Sequence, residues 1–132
     1  ADIRPTHGLG DLYFAGLEGI LFNVYQCYRL LTQTAWEPDA ILISGGIMNS
    51  PLWLQMAADI FGKALMTTGF KDDSAVGMAI LALKAAGKLS IDEGFLPPVA
   101  EATGPPSKNS ELHRRRFERY LELYQDPKKA RP

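Results

Sequence analysis

The passage with the clearest chemical meaning is an apolar run that ends in two glycines and is soon followed by a Ser-Pro pair. Ala40-Ile41-Leu42-Ile43-Ser44 leads through Gly45-Gly46-Ile47-Met48-Asn49 into Ser50-Pro51. A glycine lets a ligand approach the main chain where a Cβ would collide. A helix opening at Ser50 offers unpaired amides and a positive dipole end, which suit an anion or the polar edge of a ribose. The loop is not a Walker A loop, because no Gly-Lys-Ser/Thr follows, and it is not G-x-G-x-x-G. Lacking a lysine, it fits the base and sugar of a nucleotide better than the terminal phosphates. Two glycines can also do no more than turn a tight corner between strand and helix.

The remaining reactive side chains read as structural. Asp72 and Asp73 precede a helix and would compete with a phosphate for its amides, so they are expected to cap it. Asp59 falls in the last turn of a helix, where its charge opposes the dipole. That mismatch points to a hydrogen bond with a neighbouring loop, the alternative being a surface carboxylate. His7 and His113, the two histidines, fall in a loop and on a charged helix and are expected to be solvated. Cys27 on an apolar helix reads as core, as do Trp53 and Met56. Arg114, Arg115, Arg116 and Arg119 are matched by Glu111, Glu118 and Glu122 at helical spacings, which describes a solvated face rather than a nucleic-acid patch. No nucleophile–base pair and no metal-ligand cluster is visible, so catalytic and metal residues are expected to be none in this chain.

The elements that must position the glycine loop follow from periodicity. Tyr13, Leu17, Ile20, Val24, Cys27 and Leu31 recur at helical spacing within Asp11–Gln33. Phe14, Leu21, Tyr25 and Tyr28 lie off that stripe, so the helix expects burial on more than one side. Asp11 is the expected N-cap, and Gly16 and Gly19 imply a closely packed backbone. Residues 40–44 read as a strand buried on both faces. Ser50, Pro51 and Gly62 bound a second helix whose buried stripe is Leu52, Trp53, Met56, Ala57 and Ile60. Ala64–Thr68 reads as a second strand, parallel to the first. Ser74–Ala86 is a third helix, stopped by Gly87. Pro97-Pro98 and Gly104-Pro105-Pro106 frame an irregular segment. A last helix, Asn109–Gln125, carries Leu112, Phe117, Tyr120, Leu121 and Tyr124 on one face and stops at Asp126-Pro127. Two strands make a poor sheet, so the chain reads as the end of a larger one.

Composition bounds the class. The 132 residues are 46% apolar and 22% charged, which fits one folded domain and excludes disorder. A net charge of −1 argues against nucleic acid or an anionic membrane as the main partner. The lone Cys27 cannot form an internal disulfide, and the opening residues lack the layout of a signal peptide, so a cytoplasmic location is expected. No apolar run approaches the roughly 20 residues of a membrane span. The first residue is Ala rather than Met, which fits a piece of something longer. Exposed apolar faces on the first helix favour self-association, possible as a homodimer.

In order and spacing, these motifs resemble the C-terminal part of the FGGY carbohydrate kinases, a branch of the actin/hexokinase-like ATPases. Leu12-Tyr13-Phe14-Ala15-Gly16-Leu17-Glu18-Gly19-Ile20-Leu21-Phe22-Asn23 resembles the family's long helix. Ser44-Gly45-Gly46-Ile47-Met48-Asn49-Ser50-Pro51-Leu52-Trp53 resembles its adenosine-binding loop. Ala58-Asp59-Ile60-Phe61-Gly62 and Ser74-Ala75-Val76-Gly77-Met78-Ala79 match the stretches that follow. Phe117-Glu118-Arg119-Tyr120 and Leu123-Tyr124 are similar to the closing helix of xylulokinase- and gluconokinase-like members. The chain departs from the family at Phe14 and Leu54, where basic residues are common, and at Ile47-Met48, where small residues usually stand.

The resemblance implies an α/β fold of the actin/ribonuclease H-like type. The chain would be the last αβαβα portion of the second domain (1–88), followed by an extended linker and a C-terminal helix (89–132) packed on the same domain. It implies that Gly45, Gly46, Ile47, Asn49 and Ser50 hold ATP. It further implies Mg²⁺ and transfer of the γ-phosphoryl group to a hydroxyl of a sugar, polyol or sugar acid. The catalytic base and most sugar and phosphate contacts would come from upstream segments, so this portion alone is expected to be inactive. The rival expectations are a nucleotide-binding actin-like module without catalysis and an interaction domain that binds no nucleotide.

Overall fold

The computed structural model describes residues 3–90, 92, 94 and 98–125. The elements are α1 (Leu9–Thr34), β1 (Ile41–Leu42), a 3-10 turn (Gly46–Asn49), α2 (Pro51–Phe61), β2 (Leu65–Thr67), α3 (Asp73–Ala85), β3 (Ala100–Glu101) and α4 (Ser110–Gln125). The arrangement is α/β, a small sheet with helices. The Tyr124 side chain and the stop expected at Asp126-Pro127 lie outside what is described, as does Pro97.

The second helix follows its punctuation. Ser50 Oγ accepts from Trp53 N at 3.3 Å, Pro51 is the first helical residue, and Gly62 closes the helix in the left-handed region at φ 70°. Met56, Ala57 and Ile60 are buried as expected, together with Leu54 and Ala58, while Leu52 is exposed. Ala57 and Ala58 are 0% exposed. Small side chains there let α1 and α4 approach α2 from two directions, which is why burial exceeds a single stripe.

The first helix corrects three expectations. Its N-cap is Gly8, not Asp11, and Asp11 Oδ2 instead accepts from Gly8 N at 2.9 Å, reaching back from the first turn. Its buried face is Leu17, Glu18, Leu21 and Phe22, whereas Tyr13, Ile20, Val24 and Leu31 are exposed. Cys27 is exposed rather than core. A helix apolar all round offers no unique stripe to periodicity. The choice of face is made by Phe117 of α4, whose ring meets Phe22 and Tyr25 edge-on at 5.4 and 4.9 Å. Phe117 is 3% exposed, and burying such a ring contributes about 1.5–3 kcal/mol. Gly16 and Gly19 have no described atom within 4 Å of a Cβ built there, so no close backbone explains them here.

The sheet order is β1-β2-β3. β1 and β2 pair parallel, with Ile41 opposite Leu65 and Leu42 opposite Met66. Ile43 N extends the ladder to Met66 O at 2.8 Å. The segment expected to be wholly irregular contributes β3, antiparallel to β2, with Met66 opposite Glu101 and Thr67 opposite Ala100. Two residues are too few to carry a period, so only the partner strand reveals it. Ile41 and Ile43 pack on the core formed by α1, α2 and α4. Leu42, of opposite pleat parity, lines a recess with Val76, Gly77 and Ile80 of α3. The third helix thus lies on the other face, and none of its residues is buried. The outer edge of β1 has no strand beside it among the described residues.

Candidate functional site

Parallel strands deliver their loops to one side, the carboxyl ends, where open α/β sheets bind ligands. Here the loops after β1 and β2 enclose a cleft of about 700 Å³, within the roughly 300–1,000 Å³ of small-molecule sites. One wall is Ser44, Gly45, Gly46, Met48 and Asn49, and the other runs from Thr67 and Gly69 to Ser74. Gly45 has φ 86°, a conformation that disfavours side chains, so the turn itself requires a glycine there. Gly46 is different. It begins the 3-10 turn without positive φ, and a Cβ built on it meets no described atom within 4 Å.

The other loop residues divide by direction. Met48 N bonds to Gly45 O and Ser50 N to Ile47 O, each at 3.0 Å, so the turn is tightly wound. Asn49 lines the cleft, whereas Ile47 packs against the hydrophobic core. The Ser50 hydroxyl caps α2. Of the five expected residues, the structure brings Gly45, Gly46 and Asn49 together on the cleft, with Ile47 and Ser50 anchoring the loop behind them.

On the opposite wall, Asp72 Oδ1 accepts from Ala75 N at 2.9 Å, the capping role expected of this pair. Asp73 accepts from the Thr68 hydroxyl. Phe70 N in turn donates to Thr68 Oγ1 at 3.3 Å, so the loop is braced from within. Lys71 also lines this wall. It was absent from the sequence expectation because twenty-five residues separate it from Gly46, and only the parallel pairing brings the two loops face to face.

Away from the cleft, two buried polar contacts tie the C-terminal segment to the core. Asp59 is 4% exposed and accepts from Ser107 N, from Ser107 Oγ at 2.8 Å and from Gln55 Nε2 at 3.1 Å. The dipole mismatch therefore did mark a tertiary contact. His113 corrects its expectation: it is 4% exposed, and its Nδ1 lies 2.6 Å from Glu18 Oε1. An ionised carboxylate can only accept, so Nδ1 carries the hydrogen. Arg116 Nη1 reaches the same oxygen at 3.2 Å. Burial disfavours the charged form of Glu18, yet the hydrogen bonds and charges of His113 and Arg116 outweigh it, and its pKa lies below the ordinary value. No local signal could have revealed this pair, which is 95 residues apart in sequence. Arg114 and Arg119 lie on the solvated face expected of them, paired with Glu111, Glu118 and Glu122. Exposed His7 accepts from Arg4 N at 3.1 Å.

Among the described residues, no group of three or more His, Cys, Asp or Glu side chains could hold a metal ion. No helix there is long and apolar enough to cross a membrane.

A glycine loop between a parallel strand and a capped helix, facing a second loop across a cleft, occurs in many nucleotide-binding folds. Comparison of the whole chain narrows the choice, because residues 1–86 match the C-terminal domain of the FGGY family of carbohydrate kinases. The chain belongs to the FGGY family. A xylulose kinase of Staphylococcus epidermidis is 28% identical over 130 residues, covering 96% of this chain and 26% of the relative. A gluconokinase of Bacillus licheniformis is 38% identical over 88 residues, covering 66% of this chain and 17% of the relative. A xylulose kinase of Escherichia coli K12 is 30% identical over 126 residues, or 93% of this chain and 26% of the relative. No solved structure matches the chain. This FGGY chain spans about a quarter, or less, of the length of these curated relatives.

Proposed function

We propose that this chain is the nucleotide-side portion of a carbohydrate kinase and that ATP lies in the cleft between the β1–α2 and β2–α3 loops. In this reading adenosine rests on the exposed backbone at Gly45 and Gly46 beside Asn49, while Ile47 and Ser50 hold the turn rigid. The observation that carries it is Gly46. Neither the backbone conformation nor any described neighbour demands a glycine there, which leaves bare backbone open to a ligand on the cleft wall. The fold portion is the last αβαβα of an actin/ribonuclease H-like domain, with residues 1–88 as its body and residues 89–132 as an appended strap and helix.

The parent enzyme would move the γ-phosphoryl group of ATP to a hydroxyl of a sugar or sugar acid of the pentulose or gluconate type, in the cytoplasm. Such transfer depends on holding two substrates and a metal in line. The metal, Mg²⁺, would neutralise phosphate charge, with its ligands expected from segments outside this chain. What these residues do is bind and orient the nucleoside. Calorimetric titration with ADP tests the reading. Saturable binding that is weakened in Gly46→Ala and lost in Gly46→Trp, with both variants folded by circular dichroism, is the expected result. Absence of binding, or equal binding by Gly46→Trp, would refute it.

A further inference from the structure

The wall facing Gly45 and Gly46 carries the feature that the glycine loop lacks. Lys71 is the one cation among the described residues that line the cleft. It is exposed, and it forms no ion pair with a described residue. Its two acidic neighbours are already engaged within their own loop, Asp72 by Ala75 N and Asp73 by the Thr68 hydroxyl. Gly69, at φ 74°, turns the chain out of β2. The bonds from Gly69 N to Thr67 Oγ1 and from Phe70 N to Thr68 Oγ1, each 3.3 Å, then brace the two residues before the lysine. A lysine presented from a braced loop into a ligand-sized cleft is a point charge with a place to act.

We propose that Lys71 is the anion contact of this site, its ammonium meeting the phosphoryl group nearest the nucleoside. The inference rests on the nucleotide reading of the cleft and deepens it, because it names the side chain of this chain that meets the phosphate. One lysine beside two aspartates leaves the lining net negative. That balance confines a phosphate contact to one phosphoryl group close to Lys71, because the aspartates repel any further anionic charge. More distal phosphates need cations from outside this chain, in keeping with a site whose glycine loop grips base and sugar.

The test is a calorimetric comparison of adenosine and AMP on the 132-residue chain. One charge-assisted contact at an exposed site predicts AMP binding about threefold to tenfold tighter than adenosine. Lys71→Ala shrinks that ratio below about twofold while leaving adenosine affinity unchanged, and Lys71→Arg restores it. The wild-type ratio also falls as salt is raised. An unchanged ratio in Lys71→Ala overturns the proposal, as does an equal loss for both ligands, which would mark Lys71 as structural. If neither ligand shows binding sensitive to Gly46→Trp, the nucleotide reading itself fails and takes this inference with it.

Discussion

Glu18 is where two opposing effects on one carboxyl can be weighed. Burial raises its pKa, while His113 and Arg116 lower it by more. Because the folded value lies below the unfolded one, the stabilisation is fully present above the ordinary glutamate range and is lost as pH falls through the folded value. Replacing Glu18 with Gln keeps the shape and removes the charge. Urea denaturation should find Glu18→Gln less stable by about 1–3 kcal/mol near neutrality. The gap should narrow as the medium is acidified below about pH 4.5, because wild-type Glu18 is then being protonated. A gap of the same size at both pH values would show that packing, not charge, holds the pair.

Elements differ in how openly their sequences declare them. The second helix is legible because Ser50, Pro51 and Gly62 each act on their own few residues. The same locality makes a clean test. Ser50→Ala should cost about 1 kcal/mol in denaturant unfolding and leave adenosine affinity within about twofold, since the hydroxyl serves the cap and lies outside the cleft lining. A large loss of affinity in a well-folded variant would instead put Ser50 in direct contact with ligand. The glycine side of the cleft was readable from residues 40–51 for the same reason. The facing wall, the buried edge of α1 and the strand β3 were not. Each is chosen by a partner far along the chain: Lys71 by strand pairing, the Leu17–Leu21 face by Phe117, and Ala100–Glu101 by Met66–Thr67.

At the scale of the molecule, what is uncovered is as ordered as what is packed. Ile20, Val24 and Leu31 are exposed on α1 beside an apolar groove of about 610 Å³ that runs to Ile41 and Trp53. Trp53 Nε1 is buried with no hydrogen-bond partner among the described residues. No described segment covers this face. In isolation it should drive chains together. Sedimentation velocity is expected to show concentration-dependent association of the 132-residue chain, relieved in the double variant Ile20→Glu, Leu31→Glu. A wild-type chain monomeric at every concentration would contradict this. The tie from Asp59 to Ser107 grips α2, the helix on which the glycine turn is mounted, while that from Glu18 to His113 joins α1 to α4. An engineer who clips the protein at residue 86, where the match to the family's C-terminal domain stops, would therefore discard no wall of the cavity and yet loosen the beam that carries one of them.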